Sequence, residues 1–256
     1  MLGRAGAKRG RLRLLACATP GEHCWDGYER YFDYGHYALN IRVPDIRALY
    51  PKLVEAGARP KSTPTHWVVE PGLEAWDSMC WDPDGTLLDS YTVTGRPDVF
   101  ADLQGRASEL ETVALHVSDA ARARRFYEAI GYSLFYDRRI DDLGEFFHLP
   151  KDVVLHNVNM YKPEQSTIGR IEIVQYVGLP GRPVGVKARP PKLGILSISF
   201  EAGDLEDVAR RVREGGGRVT SAPVRVTLPA VGPAEVLTAV GPDEEALEFY
   251  RPLPAR

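Results

Sequence analysis

The stretch "ETVALHVSD", residues 111–119, sets one imidazole, His116, among small and apolar side chains. An imidazole titrates near neutrality, so it can ligate a metal, hold or protonate a substrate, or simply sit on a strand. Its surroundings in the sequence do not choose among these. His36 and His66 have no partner at ligand spacing, and His148 and His156 flank "LPKDVVL", where surface positions are the commoner outcome. His23, Cys24, Trp25 and Tyr28 form an aromatic loop that could cover a flat ligand or pack on itself. Cys17, Cys24 and Cys80 lack CxxC spacing, which points to neither a disulfide framework nor a zinc knuckle and fits a reducing cytoplasm.

The elements that carry His116 are legible from periodicity. Val113, Leu115 and Val117 alternate on one face of a strand and must pack on the helix that follows, where Ala123, Phe126, Tyr127 and Ile130 recur at helical spacing before Gly131 ends it. Thr112, Ala114 and His116 therefore take the face away from the helix. Strands are expected at "EFFHL", "VVLHNVNMY" and "GRIEIVQY", and the pattern restarts with "ILSISFEA", helix "DLEDVARRVREGG", "RVTSAPVRVT", "EVLTAV" and "ALEFYRP". An earlier copy reads "YALNIRV", helix "DIRALYPKLVEAG", in which Pro51 should kink or divide the helix, and "DPDGTLLDSYTV". "GRLRLLA" reads as a lone strand before it, with too few apolar residues for a secretory h-region.

These copies are a repeat. A shift of 159 residues lays Asp45 on Asp204, Gly57 on Gly216, Pro83 and Asp84 on Pro242 and Asp243, and Tyr91 on Tyr250. On that register Glu111 maps about 48 residues before Met1, so the first repeat lacks its opening strands. The expected organisation is an incomplete first domain over 1–95, a linker over 96–110 and a complete domain over 111–256. The missing half could lie upstream, have been trimmed, or be supplied by a second copy in a homodimer.

Paired β-α-β-β-β modules with "HVSD....RRFYEAIGY" at the front and "DPDGTLLDSY" or "GPDEEALEFY" at the back resemble the vicinal oxygen chelate superfamily, which includes glyoxalases, extradiol dioxygenases and bleomycin-resistance proteins. The resemblance implies an α+β fold of tandem βαβββ modules forming half-open barrel sheets, one domain complete and one incomplete at its N-terminus. It also implies inward-facing metal ligands on the first and last strands of each module. Here the first-strand positions hold Thr112 and Ser197, and the last-strand positions hold Glu172 and Glu248. In the first repeat the same places hold Arg13, Ala38 and Asp89. A transition ion would lack the imidazole nitrogens that usually fix it. The expectation is therefore no cofactor, with a divalent ion on Glu172 and Glu248 as the fallback.

His116 lies four residues past the ligand position, roughly 13 Å along the strand, and cannot take the place of Thr112. Alternation turns Glu172, Val174 and Tyr176, then Ser197, Ser199 and Glu201, then Ala246, Glu248 and Tyr250 toward the hollow. The candidate catalytic residues are Glu172, Glu248, Tyr250 and His116, with Thr112, Tyr176, Ser197, Ser199 and Ala246 binding substrate. Trp67, Trp76 and Trp81 could stack a ligand or fill the core. Two facing carboxylates would split their pKa values into an acid and a base, as an isomerase, cyclase or lyase requires. A binding or resistance protein is the alternative, and a metal-dependent dioxygenase or glyoxalase ranks third.

Bulk properties bound these readings. The chain has 256 residues, 44% hydrophobic, with a formal charge of −3, and so gives no basic stripe for nucleic acid and no run long enough for a membrane helix. Heavy use of Arg over Lys with abundant Ala, Gly and Pro suggests a GC-rich bacterial genome and secondary metabolism.

Overall fold

A computed structural model describes residues 2, 7, 9–25, 32–95, 106–141, 152–163 and 168–254. Three modules of the βαβββ kind follow one another, the first with an extra two-residue strand after its helix. The first runs β1 (Gly35–Arg42), α1 (Ile46–Glu55), β2 (Arg59–Pro60), β3 (Thr65–Glu70), β4 (Leu73–Trp81) and β5 (Leu87–Thr94). The second runs β6 (Leu110–His116), α2 (Ala120–Ala129), β7 (Ser133–Ile140), β8 (Val154–Tyr161) and β9 (Arg170–Val177). The third runs β10 (Ile198–Glu201), α3 (Leu205–Glu214), β11 (Arg218–Leu228), β12 (Gly232–Val240) and β13 (Ala246–Pro252).

The repeat is visible in the caps. Asp45, Asp119 and Asp204 each cap a helix, accepting backbone N–H groups of the first turn. Gly57, Gly131 and Gly216 follow the helices at φ 96°, 96° and 90°, a region that favours glycine. Helix α1 runs through Pro51 undivided. "GRLRLLA" is not a strand: among the described residues Leu12 makes one isolated bridge, to Leu2, and the segment joins neither sheet. "EFFHL" and His148 lie outside the described residues, as does Tyr28.

Pairing between modules decides the architecture. β1 lies antiparallel to β6, with Leu39 opposite Val113, and each is flanked on its other side by the last strand of its own module: β5 beside β1 and β9 beside β6. The first two modules thus share one nine-stranded open sheet, and the third keeps its own four-stranded sheet in the order β10-β13-β12-β11. The expected grouping of 111–177 with 198–252 around one hollow is therefore not the one the sheets make. Both edges of β6 are taken, leaving none for β10. The second and third modules meet instead on their helical sides, where Leu115, Phe126, Tyr127, Ile171, Ile173, Val212, Leu247 and Phe249 form one apolar core. Among the described residues, no helix is long and apolar enough to cross a membrane.

Candidate functional site

The concave side of the joined sheet holds a partly open cavity of about 60 Å³. Strand alternation aims Ala38 of β1, Asp77 and Met79 of β4, Asp89 of β5, Ala114 and His116 of β6, Asn157 of β8, and Glu172, Val174 and Tyr176 of β9 into it. Its floor is acidic. Glu172 accepts from the Asn40 amide at 2.7 Å and from the Asn157 amide at 2.6 Å, so both carboxylate oxygens are fixed, one by the neighbouring strand β8 and one from β1 across β6.

Asp77 and Asp89 lie beside each other and share a hydrogen bond. Burial pushes Asp77 up to about 6, with the Glu172 charge adding to the effect. Burial lifts Asp89 well above the ordinary carboxylate range, helped by Asp77 and Glu172 and opposed by Lys61. Two neighbouring buried carboxyls, both raised, are the arrangement in which one can serve as acid and the other as base. Burial in turn pulls the Lys61 ammonium down to about 8. Asp77 Oδ1, Asp89 Oδ1, Asn40 Oδ1 and Asn157 Oδ1 are buried without a hydrogen-bond partner among the described residues, an acceptor-rich surface that suits a ligand bearing donors.

The other wall is aromatic. His116 is only 2% exposed, so it is not the partly exposed residue at a cavity mouth that lone histidines often are. Its ring stacks on Tyr37 at 3.8 Å and meets Tyr176 edge-on at 5.0 Å, with the Tyr176 hydroxyl 3.4 Å from Nε2.

The remaining expected site residues lie elsewhere. Thr112 is buried opposite Asn40 and Arg170 and does not line the cavity. Glu248 belongs to the third module, where it accepts from Arg13 at 2.9 Å and from Ser199 at 2.7 Å. Tyr250 points its hydroxyl at Glu201. Ser197 precedes β10, and Ala246 offers its carbonyl to the His36 ring at 2.8 Å. Glu172 and Glu248 sit in different sheets, so they neither share a proton nor bracket an ion. His66 and His156 bond surface carboxylates of Glu74 and Asp137. Trp67 lines the cavity, whereas Trp76 packs tilted against the His66 ring and lies under the Arg47 guanidinium.

Asp77, Asn40 and Asn157 escaped the sequence reading. Asp89 stands at the last-strand position of the incomplete first repeat, away from the residues the sequence groups as the site.

Solved structures share this architecture. Glyoxalase I from Zea mays superposes with a TM-score of 0.55 at 19% identity, over 86% of this chain and 67% of that one. A point mutant of the same maize enzyme, in its own crystal form, gives 0.55 at 18%, over 86% and 68%. The chain has the vicinal oxygen chelate fold. No protein-family model matches it, and comparison with curated proteins gives no match.

Within the vicinal oxygen chelate frame the cavity between the first two modules carries Ala38, Asp89 and Glu172 from the four positions where the resemblance implies metal ligands, and the fourth is Thr112, outside it. Ala38 has no donor atom, and both Glu172 oxygens already face amide N–H groups. Among the described residues, no three His, Cys, Asp or Glu side chains are grouped to hold a metal ion. The donor set does not fit the ion that the resemblance implies.

Proposed function

We propose that the cavity between β1 and β6 binds a planar small molecule against His116, Tyr37 and Tyr176 and that the Asp77–Asp89 pair moves a proton on it, as an isomerase, cyclase or lyase would, without a metal ion. The observation that carries the reading is the placement of two carboxyls, Asp77 and Asp89, buried side by side in the cavity next to Glu172, with burial and mutual charge raising both above the ordinary carboxylate range. Glu172, fixed by Asn40 and Asn157, supplies a rigid acceptor for a substrate donor and an electrostatic bias that keeps the pair's proton in place. Glu248 and Tyr250 have no part in this chemistry. A role in bacterial secondary metabolism and a homodimer through the open edge of β10 belong to the same reading.

The test is hydrogen exchange from enolisable carbonyl and phenolic compounds incubated in D2O with the purified protein. Exchange should survive chelation by EDTA and fall on the order of 100-fold or more in Asp77→Asn and in Asp89→Asn, the usual worth of a positioned acid or base. Exchange that is lost with EDTA and restored by a divalent ion would overturn the metal-free mechanism. Saturable binding without exchange would make the protein a binder.

A further inference from the structure

Three carboxyls, of Asp77, Asp89 and Glu172, line the cavity between β1 and β6 against one guanidinium, that of Arg138, among the described residues. Lys61, between β2 and β3, acts on Asp89 electrostatically but does not line the cavity. Asn157 is 6% exposed, and its amide N–H donates to Glu172, which turns Oδ1 the other way. That oxygen is buried with no hydrogen-bond partner among the described residues, on a side chain that forms part of the cavity wall. A buried acceptor left unpaired costs free energy, so an occupant gains by bringing N–H donors. The rest of the wall is aromatic: the Tyr37 and His116 rings, Tyr176 edge-on to His116, and Trp67. Carboxylates on one side and rings on the other suit an organic cation, whose charge is attracted by both. Size narrows the class. About 60 Å³ is the share of roughly two waters at about 30 Å³ each, so only a head of a few heavy atoms enters, with any larger remainder outside the opening.

We infer that the substrate presents a compact planar nitrogen cation, of the amidinium or guanidinium class, whose N–H groups bond Asn157 Oδ1 and the carboxyls beside it. The inference rests on the reading of this cavity as the substrate site and names the class of molecule that the site takes. The cation, rather than the remainder of the molecule, is what the buried part of the site selects.

Acetamidinium, acetamide and acetate are nearly the same size and differ in charge, which makes them the probes. In 5-fluorotryptophan-labelled protein at neutral pH, acetamidinium should shift the ¹⁹F signal of Trp67 saturably, in the roughly millimolar range that so few heavy atoms allow, and leave Trp25, Trp76 and Trp81 in place. Acetamide should bind at least about fivefold more weakly, since its donors carry no charge toward the carboxylates, and acetate should not compete. Asp77 has Asp89 and Glu172 as charged neighbours and is pushed up to about 6 chiefly by burial, so acetamidinium affinity should rise with pH through that value. Asp77→Asn should weaken binding and remove that rise, whereas Glu248→Gln, in the other sheet, should change neither. Acetamide binding as tightly as acetamidinium, acetate binding more tightly than either, or no saturable shift of Trp67 would each overturn the inference. Hydrogen exchange is read separately: acetamidinium bound by a protein without exchange activity sinks the catalytic reading alone, and exchange of neutral compounds by a protein that ignores acetamidinium sinks this inference alone.

Discussion

At Glu172 two asparagine amides hold a carboxylate that Glu248 matches in sequence position but not in surroundings. Glu172→Gln would turn an amide NH2 toward the Asn40 or Asn157 NH2, leaving buried donors facing each other at a cost of about 1–3 kcal/mol. Glu248→Gln gives up only a partly exposed bridge to Arg13 and should cost about 1 kcal/mol or less. Urea denaturation of the two variants checks the difference, and equal losses would refute it. Asp77 supplies a pH signature. Its carboxyl binds a proton up to about pH 6 in the folded protein but only to about 3.8 when unfolded, so the folded state holds more protons between those values. Stability from this group is full below pH 4 and is lost as pH rises through 6. Asp77→Asn should flatten that fall when unfolding free energies at pH 4.5 and 7 are compared with wild type. Residue identities were readable from the sequence, and alternation correctly turned Glu172, Tyr176 and His116 inward. Asp77 was not readable, because an aspartate on a strand carries no mark of burial.

Helices α2 and α3 show what the modules gain by packing back to back. Phe126 is fully buried in their common core, and Phe126→Ala should cost about 3–5 kcal/mol. The same contact explains Gly217: a Cβ there would sit 2.6 Å from the Phe126 ring and 2.7 Å from the Val240 carbonyl, whereas one at Gly203 would meet nothing within 4 Å. Thermal melting should therefore place Gly217→Ala well below wild type and Gly203→Ala close to it. Caps and helix faces were legible because the aspartate caps, the terminal glycines and the apolar spacing all act within one turn of the chain. "GRLRLLA" shows the opposite case: its alternation is that of a strand, but backbone pairing with a sheet is a long-range event, and this segment joins neither sheet.

Across the whole molecule, β10 resembles β1 and β6 in sequence position but differs in company, since its outer edge pairs with no described strand. An edge of this kind invites addition of a further strand. Leu39 and Val113, which oppose each other where β1 meets β6, both correspond to Ile198 in the repeat. A second copy added in the same way would set Ile198 on the two-fold axis. Sedimentation should then show a dimer, and Ile198→Cys should form an intermolecular disulfide on mild oxidation. A monomer at micromolar concentration, with no cross-link, would rule that assembly out.

By itself the sequence determined the module: its strand order, its capped helix, its apolar and polar faces, and its likeness to the vicinal oxygen chelate superfamily, all set by interactions among near neighbours. Which modules share a sheet was decided only in three dimensions. Every first strand carries the same alternation, so nothing local tells β6 to pair with β1 rather than β10, and that one choice separates Glu172 from Glu248 and joins it to Asp77 and Asp89.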